Sequence, residues 1–173
     1  MIENTETLLA LAEIAAAFAG FAALVSVIRR SSTDAGRAAH DLLRLRLVIG
    51  GSVAGVTAAL VPVGLDGFGL DAGAIWRIAA VLFLLFDNAI LASFASAYQP
   101  VRGTFPPDRI AVVVTLGLES VEQVCLIGVV IGVFPVNAPA LYVTALIANI
   151  IQAGFIFVRF VGSAFQREIN LAE

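Results

Sequence analysis

The chain has 173 residues, 60% of them hydrophobic and 13% charged, with mean hydropathy +0.99 and a formal net charge of −3. Soluble domains average about 25% charged residues, so an ordinary soluble domain is excluded, and so small a net charge gives no basis for a nucleic-acid partner. All ten basic residues are Arg, which excludes Schiff-base chemistry on a Lys, and a single His40, Met1 and Cys125 leave no histidine-based metal site, axial haem pair or intramolecular disulfide.

Five apolar stretches follow one another along the chain, each long enough to cross a bilayer as a helix. Helices are expected because alternating barrel-type segments are absent and backbone groups in hydrocarbon must pair internally. The first covers residues 8–28; Glu3 and Glu6 precede it and Arg29-Arg30 follow it, the reverse of a cleaved signal peptide. The second covers 43–65 and is expected to extend below the membrane through 35–46, capped by Thr33 or Asp34, with Arg44 and Arg46 snorkelling to the headgroups. Pro62 is expected to kink or end it. The third covers 77–98, and Pro106-Pro107-Asp108 break the chain before the fourth, 110–134. Pro135 and Pro139 bracket a tight turn into the fifth, 138–160.

The fold expected is therefore an all-α integral membrane protein, one transmembrane domain over residues 1–173 with a bundle of about five spans. With the N-terminus outside and the C-terminus cytoplasmic, nine arginines (29, 30, 37, 44, 46, 102, 109, 159 and 167) face inward and only Arg77 faces outward, as the positive-inside rule requires. The wholly Arg basic set with abundant Ala and Gly points to a bacterial protein, hence to the cytoplasmic (inner) membrane. Gly51/Gly55 and Gly128/Gly132 form GxxxG pairs, and Gly20 ends a small-residue ladder with Ala12 and Ala16. Such positions let helices approach closely, within a protomer or between copies.

The polar residues inside these apolar runs carry the functional argument. Glu119, Glu122 and Gln123 lie in the fourth span, Asp87 and Asn88 in the third, Asn149 and Gln152 in the fifth. At about 1.5 Å per residue all of them fall near mid-depth. The fourth span is marginal by itself: its large apolar residues favour insertion by about 5–9 kcal/mol, and two carboxylates remove roughly 5–7 kcal/mol. Thr115, Glu119 and Glu122/Gln123 share one helix face, and Glu13, a turn and a half into the first span, extends an acidic path towards the outer side.

Carboxylates at such depth pair, relay protons or coordinate cations. The expected function is cation conduction or transport, of protons or a metal ion, by a homo-oligomer in the lipid bilayer. Glu119, Glu122 and Asp87 are the ion-binding or metal-ligating candidates, and Gln123, Asn88, Asn149, Gln152 and Glu13 line the pathway. Oxygen ligands of this kind suit Mg²⁺, Ca²⁺ or Mn²⁺. The alternative is a non-transporting accessory or scaffold subunit whose polar layer packs helices or docks a membrane partner. An enzyme is not expected, since the spans hold no Ser/His pair or phosphate-handling motif, and no cofactor is implied.

Overall fold

Five long helices make up the chain in the computed structural model, which describes residues 4–28, 35–103 and 108–171. They are α1 (Thr5–Ile28), α2 (Ala35–Asp66), α3 (Ala72–Tyr98), α4 (Arg109–Ile131) and α5 (Ala138–Leu171), with 3-10 turns at Gln99–Val101 and Pro135–Asn137. There is no strand among the described residues. Each helix contains a segment long and apolar enough to cross a membrane.

The helix ends follow local chemistry. Asp71 caps α3 by accepting from the Ala74 N–H at 3.0 Å, and Asp108 caps α4 by accepting from the Ile110 N–H at 2.8 Å. α2 begins at Ala35, so the extension below the second apolar run is present; Thr33 and Asp34, its expected caps, lie outside the described residues. α4 stops at Ile131, short of the expected Phe134. Gly132 adopts the left-handed conformation (φ 70°), and the N–H groups of Gly132 and Val133 both return to the Gly128 carbonyl, at 3.1 and 3.3 Å. Gly132 is thus a helix C-cap. The Arg77 guanidinium lies against it, so close that an added Cβ would come within 2.7 Å of one of its nitrogens. A cation there meets the negative end of the α4 dipole.

Pro62 does not terminate α2, which runs on to Asp66. A proline has no N–H to give the carbonyl four residues earlier, which leaves Ala58 O without its helical partner. Tyr142 of α5 supplies the replacement, its buried hydroxyl donating to Ala58 O at 2.7 Å. Trp76 and Phe83 of α3 pack against the same ring, with centroids 5.3 and 6.1 Å away. One hydrogen bond therefore repairs α2 and anchors an aromatic cluster joining three helices.

α5 touches all four other helices, and α2 touches α1, α3 and α5. Their seam with α1 is built from small buried side chains: Ala12 and Ala15, Ala54 and Ala58, Ala145 and Ala148. Gly51 and Gly55 serve this seam, since a Cβ at Gly51 would sit 3.7 Å from Ala153 and one at Gly55 only 3.3 Å from the Ala15 Cβ. Gly128 faces Leu141 of α5 at 3.6 Å, whereas Gly20 points away from the bundle with nothing within 4 Å. Trp76 against Tyr142 joins the starts of α3 and α5, and Arg159 paired with Asp108 joins the later part of α5 to the start of α4. Successive helices hence run in opposite directions, and Arg44, Arg46, Arg102, Arg109 and Arg159 gather at one end.

Candidate functional site

Midway along the bundle, α3, α4 and α5 each turn polar side chains towards one another. The i, i+3 spacing of Glu119 and Glu122 aims both at the bundle, and Asp87 meets them from α3. One carboxylate oxygen from each of Asp87, Glu119 and Glu122 lies within 4.8 Å of the other two. Asp87 and Glu122 are buried, at 4% and 0% exposure, and Glu119 is half-buried.

Gln123 is the hub. Its amide nitrogen donates to Glu119 Oε1 at 2.8 Å and to Asp87 Oδ2 at 3.1 Å, while its oxygen accepts from Asn88 Nδ2 at 3.3 Å. Asn88 also donates to the Leu84 carbonyl of its own helix at 2.8 Å. From α5, Gln152 Nε2 donates to Glu119 Oε2 at 3.4 Å. These bonds tie the three helices together and hold Asp87 and Glu119 in place.

Glu122 stands apart from that network. Neither of its carboxylate oxygens has a hydrogen-bond partner, nor do Asn149 Oδ1 and Gln152 Oε1, all buried. The Asn149 amide lies within reach of the Glu122 carboxylate without the geometry of a formed hydrogen bond. Among the described residues, none of the three carboxylates makes an ion pair. Two unit charges 4 Å apart repel by about 4 kcal/mol at an effective dielectric of 20, and an unsatisfied buried acceptor costs about 1–3 kcal/mol or more when charged. Three ionised carboxylates so close, with free acceptors around them, call for positive charge.

α2 contributes backbone shape. A Cβ at Gly55 would lie 3.2 Å from Asn149 Oδ1, so glycine there leaves room for the amide oxygen. Ser52, one turn earlier, is buried and its hydroxyl lacks a partner. Neither role shows in the sequence beyond a lone Ser and a Gly within an apolar run.

Seven of the eight expected pathway residues, all but Glu13, are brought to this layer: Asp87, Asn88, Glu119, Glu122, Gln123, Asn149 and Gln152. Glu13 is not. It lies on the exposed face of α1, opposite the buried Ala12 and Ala15. Thr115 turns back on its own helix, donating to the Ala111 and Val112 carbonyls at 2.7 and 3.2 Å.

Comparison with protein-family models, with characterised proteins and with solved structures yields no match to this chain.

Proposed function

We propose that this is an integral membrane protein that conducts or transports cations through the Asp87–Glu119–Glu122 layer, with its N-terminus outside and its arginine end cytoplasmic. The observation that carries this reading is Glu122, a fully buried carboxylate with both oxygens unpartnered, beside two further carboxylates. An interhelical packing role accounts for Gln123, Asn88 and the Gln152 amide nitrogen, which make bonds. It does not account for Glu122, because an amide or an apolar residue would pack there at lower cost.

Three protons, or one proton and one divalent cation, would neutralise the three carboxylates of the layer. Carboxylate oxygens with the amide oxygens of Asn149 and Gln152 form a hard donor set, suited to Mg²⁺, Ca²⁺ or Mn²⁺ when the ion is a metal. Assembly into a homo-oligomer fits α1, on which Glu6, Glu13 and Gly20 recur at seven-residue intervals on an exposed face. A carboxylate at Glu13 and a glycine that meets nothing in the protomer are better placed against a second copy than against lipid.

The test is flux of protons and of a panel of metal ions into liposomes holding the purified chain. Selective cation flux that is lost in Glu119→Gln/Glu122→Gln supports the reading. A folded wild type that leaves liposomes tight to every ion defeats it.

A further inference from the structure

The carboxylate layer holds more oxygen atoms than its own hydrogen bonds use. Both oxygens of Glu122, Asn149 Oδ1 and Gln152 Oε1 are buried and accept from nothing among the described residues. As acceptors they cannot satisfy one another; only a donor or a cation can. Gln152 is tied to the layer by its nitrogen, which donates to Glu119, and the Asn149 amide reaches towards the Glu122 carboxylate. A half-turn of that amide decides whether its nitrogen or its oxygen faces Glu122. Gly55 leaves space for the turn, since a Cβ there would sit 3.2 Å from Asn149 Oδ1.

This donor set discriminates between hard divalent ions. Glu122 offers both carboxylate oxygens, and Ca²⁺ accepts bidentate carboxylates in irregular spheres of about 6–8 oxygens, whereas Mg²⁺ demands a near-ideal octahedron. Size points the same way. Ligands on opposite sides of an ion lie at most two bond lengths apart, about 4.6–5.2 Å for Ca²⁺ and about 4.2 Å for Mg²⁺. The 4.8 Å within which the oxygens of Asp87, Glu119 and Glu122 lie fits a Ca²⁺ sphere without helix movement. Burial adds a third argument, because an ion at Glu122, Asn149 and Gln152 must shed its water. Mg²⁺ dehydrates reluctantly and keeps several waters, while Ca²⁺ is held by all-protein oxygen cages.

We propose that the layer binds dehydrated Ca²⁺ in preference to Mg²⁺, with Glu122 as a bidentate ligand and the Asn149 and Gln152 amide oxygens completing a sphere shared with Asp87 and Glu119. This names the ion of the site described above and rests on the reading that the layer binds a cation. Gln123 is a positioning residue in this arrangement: its nitrogen donates to Asp87 and Glu119, which holds those two carboxylates on the side of the layer facing Glu122.

The experiment is equilibrium dialysis of the purified full-length chain, in a neutral detergent, against radioactive Ca²⁺ with unlabelled Ca²⁺ or Mg²⁺ as competitor. Wild type is expected to bind Ca²⁺ and to keep most of it against about a 100-fold excess of Mg²⁺. Glu122→Gln is expected to abolish binding. Asn149→Ala and Gln152→Ala should each weaken it about 10–100-fold. Glu13→Gln, on the exposed face of α1, should bind like wild type. A wild type that binds no Ca²⁺, or yields it to Mg²⁺ as readily as to unlabelled Ca²⁺, overturns the proposal whatever the variants do. So does Ca²⁺ binding that survives in Glu122→Gln. The two readings fail separately. Liposomes tight to every ion defeat transport and leave a Ca²⁺ site standing, whereas proton flux by a chain that binds no Ca²⁺ defeats only the assignment of the ion.

Discussion

Pro62 removes one backbone hydrogen bond from α2, and the Tyr142 hydroxyl restores it from another helix. Loss of that hydroxyl in Tyr142→Phe should leave the Ala58 carbonyl unpaired and lower stability by about 1–3 kcal/mol. In a Pro62→Ala background the helix regains its own donor, so most of that loss should vanish. Thermal unfolding of the four proteins in detergent checks this, and an equal penalty in both backgrounds would refute the coupling. Gly132→Ala should cost about 1–2 kcal/mol, because φ 70° strains an L residue and the new methyl group meets Arg77. The same measurement on Gly128→Ala, where the methyl would find ordinary contact with Leu141 at 3.6 Å, should show little change. These roles were hard to read beforehand. Pro62 and Gly132 carry a known local chemistry, but the partners that complete it, Tyr142 and Arg77, lie far away in the chain.

Among the helices, α2 owes its position to glycines that differ in how much room they leave. Ala is the better helix former by about 0.5–1 kcal/mol, and Gly51→Ala adds a methyl 3.7 Å from Ala153, so that variant should be neutral or slightly stabilised. Gly55→Ala places its methyl 3.2 Å from Asn149 Oδ1 and 3.3 Å from Ala15, and overpacking should cost about 1–3 kcal/mol while displacing the amide. Unfolding measurements on the two variants separate them, and equal stabilities would contradict the packing described. The five helices were legible because hydropathy over some twenty residues is a strong signal. Their ends were less so: α4 stops where a glycine turns left-handed, and α2 passes through a proline where hydropathy gives no warning. Glu13 shows the limit of depth as a guide. Rise along a helix gives its height, but only packing decides which way it faces, and α1 turns it outward.

Taken whole, the molecule gathers Arg44, Arg46, Arg102, Arg109 and Arg159 at one end and a carboxylate layer midway along the bundle, with Asp66, Asp71 and Arg77 at the other end. The layer was largely foreseeable, since polar residues at equal depth on three antiparallel helices must come to one level. What the sequence could not show is the division of labour within it. Gln123 and Gln152 donate to Asp87 and Glu119, with Asn88 holding the Gln123 oxygen, whereas Glu122 is left with two unpartnered oxygens. The central claim is that this carboxyl group exchanges a cation. Infrared difference spectroscopy of membrane films tests it directly, perfusing the reconstituted protein with buffers that differ only in pH or in one metal ion. The account predicts a difference band in the carboxyl region on changing the pH or on adding a metal ion, and its loss in Glu122→Gln. No carboxyl band under any pH or ion, or a band unchanged in Glu122→Gln, would contradict it.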